Sequence, residues 1–207
     1  MKSPELGSID VQGMTRQSFV VRGAVAAGTV YGVSAVAPFV SEALAQEGGG
    51  DVDILNFALT LEYLESTFYE QALKDVKGLA GDAMEVAKTL QANEAEHVDA
   101  LAEAIKGLGG TPVKPPGVDF GGAFASQAAF LKTAQTFEDL GVGALNGAAP
   151  NIKSKAVLGS AGSIVQVEAR HAAAIRELNG QPITEAAFDK ALKEPQVLQA
   201  VKPYVKS

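Results

Sequence analysis

Apolar residues recur at spacings of three and four along the chain from Asp51 onward, which is the period of amphipathic helices. The pattern predicts four long helices, near 52–77, 82–107, 124–147 and 152–178. Two shorter helical pieces, 185–192 and 196–201, are predicted to follow. No segment shows the period-two alternation of a half-buried strand. The hydrophobic pattern therefore predicts an all-α fold.

The connections between these helices predict how they are arranged. Glycines and one proline mark short linkers between the first and second helices and between the third and fourth, so each pair should form an antiparallel hairpin. The segment 109–122 is rich in Pro and Gly and should be neither helix nor central strand. Its roughly 14 residues can reach roughly 46–50 Å, whereas the second helix is roughly 39 Å long. We therefore expect a long crossover between helices two and three.

Polar residues interrupt the apolar stripes of the second and fourth helices at equivalent places. Glu94 and His97 occupy consecutive core positions in helix two, and Glu168 and His171 do so in helix four. A spacing of three puts each Glu and His on one helix face, one turn apart. The chain has only two histidines, and both have this partner.

The other two helices also carry acids in their core stripes, Glu138 in helix three and Glu62 with Glu65 in helix one. Counted from the two hairpin turns, Glu138 lies level with Glu168, Glu62 with His97, and Glu65 with Glu94. We therefore expect these side chains to converge on one layer in the middle of the bundle.

Two divalent metal ions would account for this layer. Burying four carboxylates, one from each helix, without compensation costs several kcal/mol per ion. Two divalent ions would offset their charge, and two neutral imidazoles would complete the ligands. Oxygen and imidazole ligands suit iron, our first choice, with manganese or zinc as alternatives. The alternative interpretation is two core histidines that are satisfied by nearby carboxylates, without a metal.

The segments LEYLESTFY, NEAEHVDAL, TFEDLGVGALNGAA and VEARHAAAIREL resemble the four helices of ferritin-like proteins. They are most similar to the exported ferritin-like proteins that are sometimes called desiccation-related. The resemblance covers residues 52–180 and extends to the tail, and it implies a ferritin-like four-helix bundle with short C-terminal helices. Glu65 is an extra acid that could replace or supplement Glu62. The resemblance also implies that Tyr69, which lies seven residues after Glu62, is a candidate catalytic residue. The implied metal ligands are Glu62, Glu94, His97, Glu138, Glu168 and His171.

Residues 1–45 have the order of a signal peptide. Arg16 and Arg22 precede residues 24–40, which carry no charge, and Ala43-Leu44-Ala45 forms a small-x-small cleavage pattern. We therefore predict a periplasmic or extracellular protein with a flexible mature N-terminus at 46–51 and no stable membrane span after cleavage. An uncleaved anchor is the alternative, although a span needs about 20 apolar residues. Gln17 stands where a twin-arginine signal has its second arginine, which leaves the export route open.

Composition excludes several classes of function. The net charge is −7 and no basic stripe is present, which argues against nucleic-acid binding. The chain has no cysteine, so disulfides, zinc-thiolate sites and thiol catalysis are excluded. Apolar residues in the tail, 181–207, should cover part of the bundle or a neighbouring subunit, which makes a homo-oligomer possible.

The leading functional hypothesis is a two-metal oxidoreductase centre that reacts with O₂ or H₂O₂. Ferroxidase, catalase-like and oxidase chemistry in protection against oxidative or desiccation stress all fit these ligands. The alternative is a non-enzymatic exported structural or binding protein in which metal serves stability. Iron storage is a third hypothesis, and it requires a self-assembling shell.

Overall fold

The computed structural model describes residues 50–206, and the signal-peptide prediction falls outside them. Within this range the only extended pairing is an isolated antiparallel bridge between Val118 and Val205. No helix there is long and apolar enough to cross a membrane. The all-α prediction is confirmed, with five α-helices: α1 Asp51–Asp75, α2 Gly81–Gly107, α3 Gln127–Ala148, α4 Lys155–Leu178 and α5 Glu194–Val201.

The four long helices form two hairpins, α1 with α2 and α3 with α4. At one end of the bundle, Asn56 of α1 bonds to the segment that follows α2, accepting from Val113 N at 2.8 Å. At the other end, Ala80 N, just before α2, donates to Gln127 Oε1 at 3.1 Å. The connection therefore runs the length of the bundle, and α3 begins at the end where α2 begins. The predicted long crossover is confirmed.

Two helices begin about three residues later than the hydrophobic pattern predicts. Ser126 caps α3, its hydroxyl accepting from Ala129 N at 3.2 Å. Ser154 caps α4 in the same way, accepting from Val157 N at 3.4 Å. Serine favours this position because its side chain satisfies a free N–H of the first turn. The residues before Ser126 include a short 3-10 helix, Gly121–Phe124, at the end of a crossover that we expected to be free of helix.

The predicted helix at 185–192 is wrong, because residues 185–192 are bends and irregular chain. Two contacts explain the difference. Arg176 of α4 forms an ion pair with Glu185 at 3.2 Å, and Leu192 N donates to Gly143 O of α3 at 2.9 Å. These contacts hold the segment against the bundle, and the bond from Leu192 replaces the one that a local helix would make.

Leu192 lies in a groove on α3 that glycines provide. A Cβ atom added at Gly143 would come within 2.6 Å of Leu192 Cδ1, and one at Gly147 within 1.9 Å of Leu192 O. Only residues without a side chain allow the tail to approach α3 this closely.

The rest of the tail packs on the bundle and the crossover. Of the two alternatives predicted for the tail, contact with the bundle or with a neighbouring subunit, this is the first. Val197 and Val201 of α5 are buried. The Tyr204 ring packs edge-on against Phe137 at 4.8 Å, and Lys206 N donates to Gly117 O of the crossover at 2.8 Å. Phe188 remains largely exposed.

Two apolar clusters fill the bundle. One is centred on Phe68, Phe130 and Phe137, and the other on Leu59, Leu101 and Ile105. The polar residues of the predicted layer lie between the two clusters along the helices, so apolar packing closes the layer from both ends.

Candidate metal centre

The four long helices bury acids and histidines at one level. Glu94 of α2, Glu138 of α3 and Glu168 of α4 are 0% exposed, and Glu62 and Glu65 of α1 are 3% exposed. His171 is 3% and His97 is 9% exposed. Among residues 50–206, the buried Arg176 pairs with Asp139 and Glu185, and no Lys or Arg forms an ion pair with these five acids. The histidines are therefore the only positive partners that the described protein supplies.

The side chains converge as two groups of four, each with ligand atoms within 4.8 Å of one another. Both groups contain Glu94 and Glu168. The first group is completed by Glu62 and His97, and the second by Glu138 and His171. Glu65 belongs to neither group. The predicted layer is therefore a buried carboxylate and histidine cluster that is compatible with divalent metal binding.

His97 Nδ1 lies within reach of three carboxylates. Its distances are 2.9 Å to Glu168 Oε1, 3.1 Å to Glu94 Oε2 and 3.3 Å to Glu62 Oε2. One nitrogen has a single direction for a hydrogen bond, so it cannot satisfy three oxygens.

His171 Nδ1 occupies the equivalent place in the second group. It lies 2.8 Å from Glu94 Oε1 and 3.5 Å from Glu138 Oε2. The two imidazole rings are inclined to each other by 29°, with centroids 6.0 Å apart. Glu94 thus presents one carboxylate oxygen to each histidine.

Several of these atoms are buried without a hydrogen bond. Buried polar atoms in proteins are nearly always paired, so a group of unpaired atoms facing one another needs an explanation. These ligand atoms converge on one another, which is the arrangement of ligands around a cation, and carboxylate oxygen and imidazole nitrogen are suitable donors for iron, manganese or zinc. These residues therefore fit a divalent metal. The unpaired atoms are Glu62 Oε2, Glu94 Oε1, Glu138 Oε2, both carboxylate oxygens of Glu168, and His171 Nδ1.

Two neighbouring side chains bond to the cluster from outside. The hydroxyl of Tyr69, which is fully buried, donates to Glu138 Oε1. Asn93 Nδ2 lies 3.0 Å from His171 Nε2. The sequence pattern indicates Tyr69 but not Asn93. Residue 93 points about 100° around the helix from residue 94, so it lies outside the stripe that identified Glu94.

Glu65 lies next to the cluster on the side of α3. A Cβ atom added at Gly141 would be 3.1 Å from Glu65 Oε1 and 3.4 Å from Glu168 Oε2. Gly141 thus leaves space beside two carboxylates. Of the two acids on α1, Glu62 is better placed to bind a metal ion, because it lies in the first group and Glu65 lies in neither.

The neighbouring carboxylates raise the pKa values of both histidines, so both rings stay protonated. Burial by itself lowers the pKa of His97, but the close carboxylates of Glu168, Glu62 and Glu94 raise it to about 12. The pKa of His171 is likewise raised to about 12, against the effect of burial, by its carboxylate neighbours, chiefly Glu138.

The pKa values of the acids in the cluster are raised in some cases and lowered in another. Burial raises the pKa of Glu138 to about 8, to which the like charges of Glu168 and Glu94 contribute. Burial also raises the pKa values of Glu62 and Glu65 well above their usual range. Glu94 differs, because its contacts with both histidines outweigh burial and lower its pKa to about 2. Without metal, protons therefore compensate part of the buried negative charge.

A small cavity of about 10 Å³ lies between α1 and α3 and reaches Glu62. This volume is close to the minimum that holds one water molecule. Its walls are otherwise apolar or glycine: Phe57, Ala58, Leu61, Gly141, Ala144, Leu145 and Ala148.

Comparison with known families agrees with this geometry. A model of the ferritin-like domain matches residues 50–181, more than half of the chain, including all four long helices and the cluster. No curated protein matches the chain significantly. The resemblance read from the four helix segments is confirmed at the level of the superfamily. The chain belongs to the ferritin-like domain family.

Proposed function

We propose that the protein binds two divalent metal ions, iron first, and that this centre reacts with O₂ or H₂O₂. The sharing of Glu94 and Glu168 by both groups carries the proposal, because shared carboxylates hold two ions side by side. One ion would have Glu62 and His97 as its own ligands, and the other would have Glu138 and His171. A pair of redox-active ions bound here would supply the electrons for reduction of the oxidant.

The chain's own residues would prepare the site for this chemistry. The apolar clusters on either side exclude water from the polar layer, which strengthens electrostatic interactions inside it. Tyr69 fixes one oxygen of Glu138 and is a phenol next to the proposed ions, so we assign it a catalytic role in proton or electron transfer. The apolar cavity beside Glu62 suits the entry of a small uncharged oxidant.

The proposed location and role rest on the sequence. Residues 1–45 read as a signal peptide, so the mature protein would begin near Gln46 and act in the periplasm or outside the cell. Protection against oxidative or desiccation stress is the role we propose there. N-terminal sequencing of the protein outside the cytoplasm tests export, and a sequence that begins at Met1 would contradict it.

The test of function is metal analysis of protein purified from its native compartment, followed by Fe(II) oxidation assays with O₂ and with H₂O₂. We expect two metal ions per chain and consumption of one of the two oxidants. Bound metal without oxidant consumption would support the alternative, a non-enzymatic binding or structural protein. Protein without metal would contradict the two-metal proposal.

A further inference from the structure

The side chain of Asn93 contacts the proposed metal ligand His171 from the side opposite the carboxylates. Asn93 lies on α2, half-buried, directly before Glu94. Its amide nitrogen is 3.0 Å from Nε2 of the His171 ring on α4. The other ring nitrogen, Nδ1, faces Glu94 at 2.8 Å and Glu138 at 3.5 Å inside the cluster. The ring therefore has one nitrogen towards the cluster and one towards Asn93.

A histidine that binds a metal through Nδ1 carries its hydrogen on Nε2 and donates it to a nearby acceptor. An asparagine side chain has its oxygen and its nitrogen on the same carbon, so a half-turn about the last bond exchanges their places. That half-turn puts Oδ1 of Asn93 where Nδ2 now lies, 3.0 Å from Nε2. Asn93 can thus accept the hydrogen bond that a metal-bound His171 must donate.

Among the residues that the structure describes, the other histidine, His97, has no such partner on Nε2. Within residues 50–206, the contacts of His97 are made by Nδ1, with Glu62, Glu94 and Glu168. Its side chain is also more exposed, 11% against 4% for His171. The two halves of the cluster therefore differ in how firmly their imidazoles are held.

We propose that Asn93 is a positioning residue for His171, whose amide oxygen accepts from Nε2–H and directs Nδ1 at the metal ion bound by Glu94, Glu138, Glu168 and His171. The inference rests on the proposed function, because it requires a metal in that group. It follows that this ion is bound more tightly than the ion of the His97 group.

Zn(II) titration of the purified protein tests the proposal. Asn93→Leu removes the acceptor of the hydrogen bond from His171. It should lower the affinity for one of the two Zn(II) equivalents by about 10–100-fold, the usual effect of losing such a partner. Asn93→Asp keeps an acceptor and should bind at least as tightly as wild type. Ala92→Asp controls for the added charge, and Gln91→Leu controls for an apolar residue on the same helix. Wild-type affinity for both equivalents in Asn93→Leu would overturn the proposal.

Nuclear magnetic resonance of ¹⁵N-histidine provides a readout that a merely structural role would not move. In the Zn(II)-loaded wild type, His171 should carry its hydrogen on Nε2, and that hydrogen should exchange slowly with water. Exchange should be at least tenfold faster in Asn93→Leu and slow again in Asn93→Asp.

The same comparison in metal-free protein separates the two proposals. If wild type bound no Zn(II), the proposed function would fail, while slow exchange in wild type and fast exchange in Asn93→Leu would still support the contact. Equal exchange in both proteins would overturn the role of Asn93 whatever the metal content.

Discussion

The hydroxyl of Tyr69 donates a hydrogen bond to Oε1 of Glu138, and both side chains are fully buried. This bond occupies one carboxylate oxygen and leaves Oε2 facing His171 Nδ1 at 3.5 Å. Tyr69 thus determines which oxygen of Glu138 is free for a metal ion.

Tyr69→Phe should therefore destabilise the metal-free protein by about 1–3 kcal/mol, the cost of an unsatisfied buried acceptor. Urea denaturation measures this, and metal content should stay at the wild-type value. Tyr63→Phe is the matched control, because Tyr63 is a half-exposed tyrosine on the same helix. An equal loss of stability in the two variants would contradict the stabilising role of the bond between Tyr69 and Glu138.

Glu94→Gln tests whether one carboxylate serves both groups. The change keeps the size of the side chain and removes the charge that faces both histidines. We expect Glu94→Gln to lose both metal ions and Glu62→Gln to lose one, as measured by metal analysis after loading and dialysis. Glu96→Gln, an exposed site two residues further along α2, should keep both. Retention of one tightly bound ion by Glu94→Gln would argue against a bridging position.

Stability of the metal-free protein should fall as the pH rises. His97 and His171 have pKa values of about 12 in the fold against 6.5 as the reference, so their contribution is complete below pH 6.5 and is lost progressively as the pH rises from 6.5 towards 12. Glu138, raised from 4.5 to about 8, acts in the same direction between those values. Glu94, lowered to about 2, contributes stability above pH 4.5 that is lost as the pH falls towards 2.

Metal binding should show the opposite dependence, because the ligands must lose protons first. Melting temperature against pH, with and without Zn(II), measures both effects. We expect the metal-free curve to be highest near pH 4.5 and to fall above it, and the increase caused by Zn(II) to grow from pH 6 to 8. An increase that is independent of pH would show that binding displaces no protons.

Ala148→Leu tests the cavity beside Glu62. Ala148 is half-buried and lines the cavity, so a larger side chain should narrow it without touching a proposed ligand. We expect O₂-dependent Fe(II) oxidation to slow by about tenfold, equivalent to about 1.4 kcal/mol, with unchanged metal content. Ala156→Leu, an exposed site on α4, is the control. Equal rates in both variants would exclude this cavity as the entry route.

Gly147→Ala tests the docking of the tail. A methyl group at Gly147 would overlap the carbonyl of Leu192, whereas one at Gly162 of α4 meets no atom within 4 Å. We expect Gly147→Ala to lower stability by about 1–3 kcal/mol, as overpacking does, and Gly162→Ala to raise it by up to about 1 kcal/mol. Chemical denaturation measures both, with metal content as the check on the site. A stable Gly147→Ala protein would show that the tail can move aside at little cost.

The sequence predicts the bundle and the cluster well because both depend on helical period. Glu94 and His97 stand out as polar residues in an apolar stripe, and counting from the turns correctly places Glu62 beside His97. The predicted starts of α3 and α4 are about three residues too early, because the apolar spacing continues past the points where Ser126 and Ser154 cap the two helices.

What the sequence could not predict depends on contacts between distant segments. The periodicity at 185–192 suits a helix, but the ion pair of Glu185 with Arg176 and the docking of Leu192 on α3 favour irregular chain. Asn93 was missed for a similar reason. Its partner His171 lies on another helix, and no spacing within α2 indicates it.

The link between Lys206 and Gly117 has a consequence for the order in which the protein assembles. The two hairpins join segments that are neighbours in the chain, and such contacts form early because they close short loops. The crossover acquires its partners at Tyr204 and Lys206 only when the last residues have been made. We therefore expect the end of the tail and the adjoining part of the crossover, near Gly117, to fold last, and their amide hydrogens to exchange through partial opening while the hairpins remain closed.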